Sequence, residues 1–308
     1  MIVSASRRED VPAFRMDWLM DRLRSGWYDV PNPFDARRAR RVALDPASVD
    51  LLVLWTRNPS PIVPRARELE SMGYRFYVHA TITGYPPPLE PGTLRDADAV
   101  AAFSALSGLV GPDRVLWRYD PVIVSRELDA DWHAQNFERL ASLLEGRTRR
   151  VTLSLVDEYA RTRARLEAAG LSDVVFGSSR VEAARRAAAE GTAPDAIGAP
   201  APATQGELFD APRALPPEPY PGLIARLAAI ARERGMEAVS CAEPYDLSSL
   251  GVARGACVDA ALARKLFGVE VEAAKDRGQR KACACAPSVD IGAYGRCPAR
   301  CAYCYARR

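Results

Sequence analysis

The chain has 308 residues, 48% of them hydrophobic and 26% charged, with a formal net charge of +3 at pH 7. This composition excludes a disordered or fibrous chain, leaves ample apolar material for a core, and carries too little charge to call for a nucleic-acid partner on that ground alone. The start of the sequence has no basic stretch followed by an apolar one, and no apolar run reaches membrane-spanning length, so a cytoplasmic protein without a membrane partner is expected.

Taken in chain order, residues 2–6 form a short β-branched run, followed by a helical pattern with Pro12 in its first turn and Met16, Leu19, Met20 and Leu23 on one face. Further strand-like runs lie at residues 51–57, 74–83, 115–119, 151–156 and 238–242. Before the last of these, Leu223, Leu227, Ile230 and Ala231 repeat at helical spacing, and Gly235 suits the helix end. Strands alternating with helices predict an α/β fold with a parallel sheet. Six such units suggest a TIM-like (β/α) barrel, closed or partial, over residues 1–270. Residues 191–221, rich in Ala and Pro and without periodicity, read as an inserted loop. After Val271 the helical pattern gives way to a Cys-rich tail, residues 271–308.

Each predicted strand ends in polar residues, among them Arg7, Arg8, Arg57, His79, Arg118, Asp120 and Cys241. In a parallel barrel these ends converge on the face where substrates bind. Arg7, Arg8, Arg57 and Arg118, with Asp120, are therefore the candidate catalytic or anion-binding residues. Arginine forks carboxylates and phosphates, so an anionic small-molecule substrate is expected. The alternative is that pairs such as Arg118 with Asp120 brace the rim, and that His79 is a satisfied core group.

Five of the seven cysteines fall in the last 26 residues. In a reducing compartment such crowding points to metal rather than disulfides. The segment Cys297-Pro-Ala-Arg-Cys301-Ala-Tyr-Cys304 offers three thiolates on a tight loop, enough for three corners of a 4Fe-4S cubane with the fourth iron left open. Zinc, or a four-thiolate cluster completed by Cys283 or Cys285, is the competing reading. The remaining four, Cys241, Cys257, Cys283 and Cys285, could ligate a second cubane or a structural zinc, or Cys241 and Cys257 could be small buried apolar groups. Gln279 and Arg280 precede the cysteine pair and are candidate donors to cluster sulfurs. The run Arg37, Arg38, Arg40, Arg41 is a candidate phosphate contact, although such runs are usually solvated.

The tail motif, with Tyr303 just before its third cysteine, resembles the cluster loop of the radical S-adenosylmethionine superfamily. That resemblance implies a cluster whose open iron binds S-adenosylmethionine, a reducing electron donor, and radical chemistry. More widely, the segments beginning Ile2-Val-Ser-Ala-Ser-Arg-Arg-Glu-Asp, Trp55-Thr-Arg-Asn-Pro59, Trp117-Arg-Tyr-Asp-Pro121, Ser240-Cys-Ala-Glu243, Gly255-Ala-Cys257, Lys275-Asp-Arg-Gly-Gln-Arg280 and Asp290-Ile-Gly-Ala-Tyr294 resemble the bacterial family called domain of unknown function 1848. In the radical superfamily the cysteine loop follows the first barrel strand, whereas here it comes near the C-terminal end, so the order reads as permuted. Either residues 290–294 supply a strand beside residues 2–6, or the tail crosses the barrel mouth from outside. No Gly-Gly-Glu segment ends a strand, which keeps open a structural or electron-relaying iron–sulfur or zinc tail. A DNA-repair-associated factor is a third reading. It rests on the arginine run and on Gln205-Gly-Glu-Leu-Phe209, which is similar to a sliding-clamp-binding peptide.

Overall fold

The computed structural model of the protein describes residues 1–32, 35, 37–179 and 215–307. In chain order these form β1 (Ile2–Ala5), α1 (Val11–Ser25), β2 (Trp27–Pro31), β3 (Ala39–Ala43), β4 (Leu51–Thr56), α2 (Ala66–Ser71), β5 (Phe76–Thr81), α3 (Asp96–Val110), β6 (Val115–Val122) and α4 (Ala130–Leu144). There follow β7 (Arg150–Leu155), β8 (Asp157–Glu158), α5 (Thr162–Ala168), β9 (Ser178–Ser179), α6 (Tyr220–Glu233), β10 (Glu237–Cys241), β11 (Ala253–Gly255), α7 (Ala260–Phe267) and β12 (Val289–Asp290).

Eight strands pair in the order β11-β10-β7-β6-β5-β4-β1-β12, every pair parallel. The sequence runs of β1 and β4 are apolar on both sides because both faces of this sheet are covered. On one face, Val3, Leu52, Phe76, Trp117 and Leu153 pack against Leu19 of α1, Phe103 of α3, Phe137 of α4 and Leu227 of α6. On the other, Leu51, Val53, Tyr77 and Leu116 meet Leu262 of α7 together with Cys257, Cys283 and Cys285.

All six predicted strands are in this sheet, with shifted ends. Two corrections apply to the barrel expectation. The sheet has eight strands, because β11 and β12, three and two residues long, are too short to show as runs. It is also open, with β11 and β12 as its two edges and no pairing between them. The chain from α7 to β12 lies by these edges without joining them: Ala286 N–H donates to Val258 O, and Arg254 reaches Ala282 O. Irregular backbone with two cysteines thus stands where a regular strand would have to be.

At its start α1 is capped by Asp10, whose Oδ1 accepts from Ala13 N–H at 2.9 Å, and Pro12 occupies the first turn as expected. The other oxygen, Oδ2, accepts from Arg57 N–H at 2.6 Å, so one buried carboxylate fixes the helix start to the end of β4. Helix α6 begins at Tyr220, inside the stretch read as a loop, and Gly235 follows it with φ +70°. The clamp-like peptide at residues 205–209 lies outside the described residues. No described helix is long and apolar enough to cross a membrane.

Candidate functional site

The C-terminal ends of the parallel strands carry the polar residues named from the sequence, and the cysteine tail lies across them. Strand β12 pairs beside β1, the first of the two arrangements the sequence left open, and the tail then continues over the strand ends. Asp290 is the fastening: it accepts from Ser4 Oγ (3.2 Å), Ser6 Oγ (2.7 Å), Arg7 N–H (2.8 Å) and Gly292 N–H (3.0 Å). A Cβ on Gly292 would stand 1.9 Å from Ser6 Oγ, so only glycine permits this approach. Arg7 donates through Nη2 to Ser288 Oγ at 2.7 Å, and its buried Nη1 has no hydrogen-bond partner among the described residues. The Arg8 guanidinium lies 5.2 Å from the centre of the Tyr294 ring.

The loop carrying Cys297, Cys301 and Cys304 is pressed against the loop after β5. Gly92 N–H donates to Ala299 O at 3.1 Å, and a Cβ there would meet Pro298 O at 2.5 Å. Ala302 N–H donates to Leu89 O at 2.9 Å. From α5, Arg165 forks three tail carbonyls, those of Ala302, Cys304 and Arg307, at 2.9, 2.8 and 2.9 Å. Arg165→Ala is expected to weaken the local stability of the tail by about 2–4 kcal/mol, since hydrogen bonds from a charged donor contribute more than neutral ones. Hydrogen exchange at Ala302 N–H should quicken accordingly, while exchange in the central strands β5 and β6 stays unchanged.

All three tail thiols are free, with Cys301 buried and the other two half-buried. Burial pushes the Cys301 thiol up to about 12, against the pull of the Arg57 cation. Cys297 is also raised by burial, opposed by the backbone N–H groups of Asp10 and Ala299. Tyr303 joins its hydroxyl to Glu90 and to Arg57, whose Nη1 pairs with Glu90 at 2.8 Å. Thr83 Oγ1 adds a fourth member, donating to Glu90 at 2.7 Å.

A second group surrounds Arg118. Its Nε donates to Asp120 Oδ2 at 2.9 Å and its Nη1 to Cys257 Sγ at 2.8 Å. Burial would raise the Asp120 carboxyl, but Arg118, with Ser154 donating to it as well, holds it below the ordinary value. Cys241 Sγ lies 2.9 Å from Cys257 Sγ. His79 stacks on Trp55 with 4.4 Å between ring centres, and its Nε2 is 2.7 Å from Cys257 O. A carbonyl can only accept, so Nε2 carries the proton and Nδ1, buried and without a partner among the described residues, is unprotonated. Burial, with Arg118 close by, lowers the pKa of His79 to about 3.

The family model described as Domain of unknown function (DUF1848) matches residues 2–193 and 211–306. The chain belongs to that family. No curated protein and no solved structure matches it.

In this DUF1848 chain the sequence candidates separate into two neighbouring sets. Arg57 and Tyr303 stand with Cys301, whereas Arg118 and Asp120 stand with Cys241 and Cys257. Gln279 lies in a turn, its N–H on Asp276 O, while Arg280 pairs with Asp157 at 2.5 Å and its carbonyl accepts from Cys283 N–H at 2.9 Å. The arginine run belongs to the β2–β3 hairpin. Arg41 pairs with Asp29 at 2.8 Å and Arg37 and Arg38 lie by Asp35, while Arg38 and Arg40 line a groove of about 460 Å³ shared with Arg8 and Asp290. Among the described residues no group of three or more His, Cys, Asp or Glu is arranged to hold a single metal ion. Sequence reasoning missed Glu90 and Arg165, and did not select Glu243, which accepts from Leu155 N–H at 3.0 Å and whose carboxyl burial pushes up to about 8.

Proposed function

We propose that this chain is an iron–sulfur protein in which Cys297, Cys301 and Cys304 ligate a 4Fe-4S cluster with one open iron, and that it acts as a radical S-adenosylmethionine enzyme on an anionic substrate. The observation that carries this reading is the course of the tail: β12 aligns beside β1, and the three-cysteine loop that follows lies over the strand ends next to Arg57. In the superfamily the motif resembles, the same loop follows the first strand of a barrel, so the pairing of β12 with β1 restores the spatial order from a permuted chain. The residues fit a cluster. Three free thiols face one another's charge, backbone N–H groups are aimed at Cys297, and a buried arginine stands by Cys301.

When bound and reduced, such a cluster supplies the electron that cleaves the sulfonium of S-adenosylmethionine. The chain's own part is to hold and to shield. Arg57, Glu90 and Tyr303 fix the loop against the ends of β4 and β5, and burial of Cys301 keeps water from its sulfur. Arg7, with one N–H unclaimed, is the donor available to a carboxylate or phosphate at this face.

The competing reading is a structural or electron-relaying tail, favoured by the strong fastening through Arg165 and Asp290. Anaerobic reconstitution of the wild type and of Cys301→Ala separates the two. Iron and sulfide bound by the wild type and reduced in the variant, with 5′-deoxyadenosine released on reduction, would support the enzyme. Iron without cleavage would leave the relay, and no iron at all would end the enzyme and the relay and leave a structural or zinc-binding tail.

A further inference from the structure

Four cysteines are not used by the tail, and they come from distant parts of the chain to one place. Cys241 is the last residue of β10, Cys257 follows β11, and Cys283 and Cys285 sit on the irregular strap between α7 and β12. Cys257, Cys283 and Cys285 are 3%, 5% and 2% exposed and share one apolar cluster with Leu51, Val53 and Leu116. Their sulfurs form a chain of contacts. Cys241 touches Cys257 at 2.9 Å, the Cys285 thiol bonds with those of Cys257 and Cys283, and Val258 N–H donates to Cys285 Sγ at 3.3 Å. All four are free.

Two buried guanidinium groups stand beside these sulfurs. Arg118 is 7% exposed, and although Asp120 occupies one side of its guanidinium, it gives Nη1 to Cys257 Sγ at 2.8 Å. Arg7 keeps a buried N–H that nothing accepts among the described residues. A buried guanidinium N–H left on a neutral thiol, or on nothing, is costly, whereas thiolate and sulfide sulfurs accept charge-assisted hydrogen bonds. In contact as they are, the four sulfurs enclose no metal site. Two on strand ends and two on a strap can instead part around a larger group.

We infer that Cys241, Cys257, Cys283 and Cys285 ligate a second 4Fe-4S cluster, fully coordinated by protein and hydrogen-bonded by Arg118. This inference goes beyond the tail cluster and does not depend on it. The group it describes has no open iron, and its chemistry is the gain and loss of one electron.

The test removes the tail site first. The full-length chain carrying Cys297→Ala, Cys301→Ala and Cys304→Ala is reconstituted anaerobically with iron and sulfide, reduced with dithionite and examined by electron paramagnetic resonance. About four irons per chain, against about eight in the wild type, with a retained signal of a reduced cubane, is the expected result. A triple variant that binds no iron, or that takes up one zinc in its place, would overturn the proposal whatever the tail does. In the same background, Arg118→Lys keeps a cation for Asp120 but loses the planar donor to sulfur. The cluster's midpoint potential should become more negative, and an unchanged potential would remove Arg118 from the site. Cys257→Ala in the otherwise native chain should lower iron while leaving the tail signal, so that collapse of one site is not mistaken for absence of the other.

Discussion

Arg57→Ala is expected to lower the stability of the protein by about 3–5 kcal/mol, the usual cost of stranding one member of a buried ion pair. The Arg57 and Glu90 side chains are 13% and 6% exposed and meet at 2.8 Å. Glu90 would keep the hydroxyls of Thr83 and Tyr303 but lose the one cation paired with it among the described residues. Two neutral donors do not offset a carboxylate withdrawn from water. The effect is largest here because the same guanidinium also holds Tyr303, so its removal loosens the cysteine loop as well as the end of β4. Urea unfolding of Arg57→Ala, Glu90→Gln and the double variant measures it. The double variant should lose clearly less than the sum of the two, since without Glu90 no buried charge is left unpaired. A loss under about 1 kcal/mol for Arg57→Ala would mean that the hydroxyls alone satisfy Glu90.

Much of the architecture was open to reading because it is local. The runs at β1 and β4 are largely apolar on both faces, the mark of a parallel strand between two layers, and Asp10 with Pro12 announces the start of α1. What escaped notice was short or long-range. Strand β11 contains three residues, too few for any periodicity, and its place is set by pairing with β10 alone, whereas β12 beside β1 was open only as one of two alternatives. The open edge between them follows from the cysteine strap, and a count of strands carries no information about such a segment. At the site, the cysteines and strand-end arginines were conspicuous by residue type. Arg165 was not, because its three carbonyl partners lie about 140 residues further on and an arginine on a short helix resembles any solvated one. Glu90 is hidden in the same way: it meets Tyr303 across 213 residues from within a proline-rich loop.

The two cysteine groups also differ in how they are held. The tail triplet is fixed through backbone, by Gly92, Leu89 and the fork of Arg165, with its one buried thiol beside Arg57. The other four are fixed by side-chain burial on the inner face of the sheet, where Tyr77 and His79 both bond to Cys257 O at 2.7 Å. On the proposed reading, a loop anchored by its carbonyls and N–H groups would keep its shape while one iron stayed open to a ligand, and a pocket closed by apolar packing would suit a group that exchanges electrons and no atoms.

Acid should unfold the protein early, through a buried histidine that Tyr85 separates from Tyr303 of the cysteine loop. His133 is wholly buried in α4, accepts from the Tyr119 hydroxyl at Nδ1 (2.8 Å) and donates from Nε2 to Ile123 O (2.8 Å), so both ring nitrogens are satisfied only in the neutral form. Burial lowers its pKa to about 4, against the small opposing pull of Ile123 O and Asp129. The unfolded chain takes up this proton near pH 6.5 and the folded chain only near 4, so between these values the unfolded state holds more protons and stability rises with pH. The contribution is fully present above about pH 6.5 and is lost as the pH falls toward 4, amounting to on the order of 2 kcal/mol at pH 5. His133→Gln removes the titrating group while keeping a donor and an acceptor. The variant should be less stable than the wild type at pH 7, because its amide packs less well against Tyr85 and Trp132, yet lose about 2 kcal/mol less between pH 7 and pH 5. Parallel losses in the two proteins would show that the acid sensitivity lies elsewhere, with His79 the next group to test, since burial holds it at about 3 and acid would force a charge beside Arg118.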